Sequence, residues 1–148
     1  MKHPNSPEGR VYRLKERQKW SQDAKDSVHV PRIILSHKVI VVGKSENKRG
    51  WWEIATITTT VNEHVSPDLY VPIAPTRKDR KTGMQLRLCD DSLGVAGLPY
   101  RSFLRIDAVH EVPLEVLEGE LSWGRQLELK AQSYRNLLSF MRRKGFKK

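Results

Sequence analysis

The 148-residue chain carries 27 Lys and Arg against 17 Asp and Glu, a formal charge of +10 with His neutral. That length favours one domain, because two halves would each bury too little apolar surface, and no run approaches the roughly 18 apolar residues of a membrane-spanning helix. A single cysteine, Cys89, excludes an internal disulfide and a cysteine-based zinc site and fits a reducing compartment, cytoplasmic or nuclear.

Residues 1–27 read as a basic N-terminal arm, partly flexible. The start is polar and lacks the apolar centre of a secretory signal. Pro4, Pro7 and Gly9 break it, Arg10, Arg13, Lys15, Arg17 and Lys19 charge it, and residues 13–20 are compatible with a short helix. From Val28 onward the pattern becomes that of strands, so residues 28–148 are taken as the folded domain. Residues 30–36 and 39–42 are short β-branched runs, ending at Gly43 and the polar loop 44–50. Residues 51–61, rich in Trp, Ile and Thr, suit a pleated, half-buried surface. Within that run Trp52, Ile54, Thr56 and Thr58 share one face, and Trp51, Ala55, Ile57 and Thr59 the other. Residues 70–74 form a further strand, and Pro72 places it at an edge or a strand start.

The run Arg77-Lys78-Asp79-Arg80-Lys81 is nearly all charge. It turns at Gly83 into an alternation with Met84, Leu86 and Leu88 inward. After a loop over 89–99 comes the strand 102–109, with Leu104, Ile106 and Ala108 on the core face. Phe103, Arg105, Asp107 and Val109 then share the opposite face. The end is helical: Leu127, Ala131, Tyr134, Leu137, Leu138 and Met141 recur at three- and four-residue spacings, and Gly145 closes the helix. Many short strands followed by one helix predict a mainly β, α+β domain, a small barrel capped by its last helix.

Three segments in order carry a resemblance. They are Val30-Pro31-Arg32-Ile33-Ile34-Leu35-Ser36, then Ala55-Thr56-Ile57-Thr58-Thr59, then Ser102-Phe103-Leu104-Arg105-Ile106-Asp107-Ala108-Val109-His110 followed by Glu111-Val112-Pro113-Leu114. Together they resemble the MazF/PemK family of toxin endoribonucleases, over roughly residues 28–143. The resemblance implies an SH3-like barrel with a C-terminal helix, and metal-independent cleavage of single-stranded RNA without a cofactor. It implies acid and base roles for Arg105 and Asp107, with Thr58 near the scissile phosphate. The family arginine before the strand proline is replaced by Val30, and Arg32 is its nearest substitute. A homodimer and an antitoxin-like protein partner follow from the same resemblance.

The residues can also be weighed on their own chemistry. Arg105 and Asp107, two apart on a strand, place a guanidinium and a carboxylate about 6–7 Å apart, a separation that suits opposite sides of a phosphate. A guanidinium is a poor acid, so charge stabilisation is the better role for Arg105. The plain alternative is a surface ion pair. His110 falls inward as core filling unless a bulge rotates it towards the site. His29, where the chain enters its first strand near Arg32, is a further candidate for substrate contact. Trp51 and Trp52 point to opposite faces, and the outward one beside Lys48 and Arg49 offers a stacking surface for a base. His37 and His64 read as exposed turn residues. Without cysteine partners or a His-x-x-x-His spacing, no metal site is expected. The expected partner is RNA, not a membrane. The alternatives are a barrel that binds nucleic acid without cutting it, or a protein-interaction barrel.

Overall fold

The computed structural model describes residues 6–89, 98, 101–122 and 124–147. Six strands form one sheet: β1 (Val11–Leu14), β2 (Lys38–Lys44), β3 (Trp51–Thr58), β4 (Tyr70–Ile73), β5 (Ser102–Pro113) and β6 (Leu117–Gly119). Their order is β4-β5-β3-β2-β1-β6, and every neighbouring pair is antiparallel. A short ribbon, β7 (Leu121–Ser122) with β8 (Arg125–Gln126), lies apart from it. Two α-helices lie among the described residues, α1 (Gln22–Ser27) and α2 (Ala131–Arg143). The domain is therefore mainly β with a C-terminal helix.

Both faces of the sheet are apolar, which explains why β2 reads as a continuous hydrophobic run rather than an alternation. Ile40 and Val42 point to one face, joining Val11, Ala55, Ile57, Val71, Leu104 and Ile106 beneath Tyr134, Leu137, Phe140 and Met141 of α2. Val39 and Val41 point to the other, joining Tyr12, Leu14, Ile54 and Val112 against Trp20, Ala24, Val28 and Ile34. Helix α1 is capped by the Ser21 side chain, which accepts from the Ala24 amide at 3.1 Å. The α2 end is closed at Gly145 (φ 85°), after which the Phe146 amide reaches the Met141 carbonyl at 2.8 Å. Pro72 sits on β4, the outer strand beside β5, where a missing amide hydrogen is tolerated.

Four expectations need correction. First, residues 6–27 are not a loose arm: β1 pairs with both β2 and β6, and Trp20 and Ala24 are buried. The density of Lys and Arg masked the apolar set Val11, Tyr12 and Leu14. Residues 1–5 lie outside the described residues. Second, residues 13–20 are no helix; β1 ends at Leu14 and a single 3-10 turn spans Arg17–Lys19. Third, the run at 30–36 is not a strand but a 3-10 helix over Arg32–Ser36. Pro31 starts it by accepting the Ile34 amide at 3.0 Å, and only Ile34 is buried while Ile33 stays 68% exposed. Fourth, among the described residues the strand ladder does not close into an SH3-like barrel. Isolated bridges, Ile73 to Leu86, Leu88 to Leu129 and Glu128 to Arg10, lead from the β4 edge back to the segment entering β1. Met84, Leu86 and Leu88 are buried as their alternation predicts, and Leu86 and Leu88 join their neighbours through such bridges. The predicted loop over 89–99 falls almost wholly outside the described residues.

Candidate active site

A break in strand pairing builds the site. Along β5 the register with β3 jumps: Ala55 faces Val109, whereas Thr56 faces Arg105. Ile106, Asp107 and Ala108 are thus extra residues on β5, a bulge of the kind that re-aims side chains next to functional sites. The bulge keeps Ile106 in the core under α2 and turns Ala108 and His110 to the other face. There, beyond the reach of α1, lies a cleft of about 520 Å³. The 3-10 helix gives it Ile33, Ile34 and then His37; β3 and the chain after it give Thr56, Thr58, Thr60, Val61 and Asn62. Tyr70 comes from β4, and Arg105 and His110 from β5. Among the described residues no carboxylate lines it.

Arg105 and Asp107 do not flank an open space, as their spacing on a regular strand predicts. The bulge folds Asp107 back, so that Arg105 Nε donates to Oδ1 at 2.7 Å and Nη2 to Oδ2 at 3.1 Å. No phosphate fits between groups so joined. The Asp107 hydrogen bonds raise the Arg105 pKa above its ordinary value, against the lowering effect of burial. An acid role for Arg105 is thereby disfavoured; a fixed cation with unused N–H donors remains. Its guanidinium carbon lies 6.0 Å from the centre of the Tyr70 ring, and that ring meets Phe103 edge-on at 6.4 Å. The Tyr70 hydroxyl accepts the Asn62 amide at 3.0 Å, tying the loop after β3 to β4.

Two imidazoles share the cleft with this cation. Burial, and then the Arg105 charge, push the His110 pKa below the usual imidazole value, which keeps the ring neutral near pH 7. His37 Nδ1 lies 3.0 Å from the Ile57 carbonyl oxygen. A carbonyl can only accept, so Nδ1 carries a hydrogen and Nε2 is left to exchange a proton. Thr58 is on the cleft wall, but its hydroxyl is engaged locally. It donates to the Thr60 carbonyl at 3.0 Å and accepts the Thr60 amide at 3.2 Å.

The structure divides the sequence candidates into groups. Arg105, Thr58 and His110 line the cleft, and Asp107 holds Arg105 in place. Arg32 and His29 are exposed near its 3-10 wall without lining it. Trp51, Lys48 and Arg49 lie at the opposite end of β3, about 20 Å from Thr58 along the strand. There Lys48 stands 4.2 Å from the centre of the Trp51 ring and Lys44 5.9 Å from that of Trp52. Both tryptophans are half-buried against the second core cluster, so neither is the freely outward ring that their adjacency predicts. His37, Tyr70 and Asn62 were not anticipated. Only the placement of a histidine directly after an apolar, proline-led run and before β2 pointed to His37. His64, in contrast, is exposed as expected.

Among the described residues no three His, Cys, Asp or Glu side chains gather in a way that fits a metal ion. No described helix is long and apolar enough to cross a membrane. No protein-family model matches the chain, and no curated protein matches it.

Proposed function

We propose that the chain is an endoribonuclease that cleaves single-stranded RNA in the cleft without a metal ion. The observation that supports this reading best is the conjunction of a fixed guanidinium and two imidazoles in one cleft, with no carboxylate among the described residues of its walls. Arg105 binds a non-bridging phosphate oxygen through the donors that Asp107 leaves unused. His110, neutral at working pH, takes the proton from the 2′-hydroxyl as its oxygen attacks phosphorus. The P–O5′ bond breaks, and the leaving oxygen takes a proton from Nε2 of protonated His37. The products are a 2′,3′-cyclic phosphate and a free 5′-hydroxyl. Arg105 stabilises the charge that builds on the phosphoryl oxygens between these steps. Ile33 and Val61, 68% and 39% exposed at the rim, offer apolar surfaces on which a flanking base can lie.

Incubation of the full chain with a single-stranded RNA in EDTA is expected to give fragments ending in cyclic phosphate. Arg105→Ala is expected to slow their appearance about 10²–10³-fold, and His110→Gln by about 10²-fold or more. Absence of fragments overturns the reading. A second reading, RNA binding without cleavage, is favoured by the direct pairing of Asp107 with Arg105, which removes that carboxylate as a base. It predicts salt-sensitive retention of intact RNA by the parent protein.

A further inference from the structure

Many of the cations in this protein are matched by carboxylates. Arg13 and Lys38 meet Glu120, Lys147 meets Glu53, Lys144 meets Asp68, and Arg105 meets Asp107. The turn that follows β4 is built differently. Its one acid, Asp79, faces inward on the turn's own backbone, accepting the amides of Lys81 at 2.8 Å and Thr82 at 2.9 Å. The Asp79 amide in turn donates to the Met84 carbonyl at 3.0 Å, and the Gly83 amide returns to the Asp79 carbonyl at 2.9 Å. Gln85 Nε2 ties the entry of the turn by donating to the Thr76 carbonyl at 2.8 Å. The result is a braced turn from which Arg77, Lys78, Arg80 and Lys81 all project, exposed. Among the described residues none of these four side chains makes a hydrogen bond or an ion pair.

Four unpartnered cations on a fixed turn form a site for a polyanion rather than a solvated surface like that of the paired residues. Two observations select the polyanion. No large apolar side chain is exposed on the turn, since Ile33, Val61, Leu114 and Leu121 are the large exposed hydrophobics described. A membrane-docking element presents such a side chain beside its cations. The turn also continues directly from β4, whose first residue, Tyr70, lines the cleft; Arg77 follows Tyr70 by seven positions, at most about 25 Å of chain. We infer that Arg77, Lys78, Arg80 and Lys81 form a second contact for the phosphodiester backbone of single-stranded RNA, gripping the strand outside the cleft. The inference rests on RNA being the ligand, as proposed above, but not on its cleavage.

The test uses the full chain and a fluorescein-labelled, 2′-O-methylated oligouridylate of about 20 nucleotides, which cannot be cut. Binding is measured across salt concentrations for the parent and for the variant carrying Arg77→Gln, Lys78→Gln, Arg80→Gln and Lys81→Gln. Each lost contact with a single strand is expected to lower the slope of log affinity against log salt by about 0.7, so the variant's slope falls by about 2–3. Affinity for a trinucleotide, which fills the cleft alone, is expected to stay unchanged, and the thermal midpoint likewise. The same slope change is expected in an Arg105→Ala background, which separates this contact from the cleft. An unchanged slope in the variant overturns the inference and leaves the cleft reading intact. Absence of any parent affinity at about 50 mM salt overturns both. Loss of binding to phosphatidylserine vesicles, with the RNA slope unaltered, assigns the turn to a membrane and also overturns it.

Discussion

The two faces of the sheet are made from the same strands, yet they end differently. On one, α2 lays Tyr134, Leu137, Phe140 and Met141 over a continuous apolar surface and seals it. On the other, α1 and the 3-10 helix cover only the region around Val39, Val41 and Ile54. The remainder is walled by threonines, histidines and an arginine. The difference lies in residue choice at alternate positions of β3. Ala55 and Ile57 face α2, while Thr56 and Thr58 face the cleft. One face holds the fold together, and the other is left free to act.

That contrast is broken most severely from the covered side. Leu137 is completely buried under the sheet, so Leu137→Ala is expected to cost about 2–5 kcal/mol in denaturant unfolding. The cleavage rate per folded molecule should not change. A smaller loss is expected where the C-terminal tail is anchored. The register of β2 against β3 shifts between Val41 and Gly43. Lys147 Nζ fills this gap, donating to the Val42 carbonyl at 3.0 Å and to Glu53 Oε1 at 2.9 Å. A Cβ on residue 43 would stand 2.5 Å from that ammonium. Gly43→Ala is therefore expected to displace Lys147 and cost about 1–2 kcal/mol. Combined with Lys147→Met it should cost less than the sum of the two single changes. Additive losses, seen in a double-mutant cycle of unfolding free energies, would refute the coupling.

On the open side, Asp107→Asn sharpens the assignment of roles. If Asp107 orients Arg105, the amide oxygen preserves one hydrogen bond and the cleavage rate falls only about tenfold, near 1.4 kcal/mol. If Asp107 is the base, activity is lost altogether. The smallest effect expected is that of pH on stability through His110. Its folded pKa is depressed, so its stabilising contribution is complete above the unfolded value near 6.5 and is lost as pH falls through the folded value. Stability of the parent should decline on acidification through that window. His110→Gln should decline less, as followed by thermal unfolding at a series of pH values.

The sequence made some of this architecture legible and hid the rest for physical reasons. The α2 stripe and the alternation of Met84, Leu86 and Leu88 were visible because periodic burial leaves a periodic pattern. β1 was hidden because it is only four residues long, follows Arg10 and contains Arg13, whose charge is neutralised by Glu120 more than a hundred positions away. The 3-10 helix at Arg32–Ser36 mimics a strand in composition, since isoleucines suit both and only Pro31 hints at the turn. At the site, Arg105 and His110 could be placed on β5, but not the bulge between them, whose three extra residues follow from pairing with β3. Without the bulge, the alternation put His110 in the core and left Asp107 well separated from Arg105. His37 was missed because its one fixed partner is a backbone carbonyl, Ile57, twenty positions along the chain.

The most direct test of the open face as the working face is chemical-shift mapping by nuclear magnetic resonance, with a 2′-O-methylated trinucleotide added to the full chain. The account predicts that amide perturbations centre on Thr56, Thr58, Asn62, Tyr70, Arg105 and His110. The side-chain signals of His37 should move with them. Perturbations confined to α2, or to the Trp51 end of β3, would contradict it.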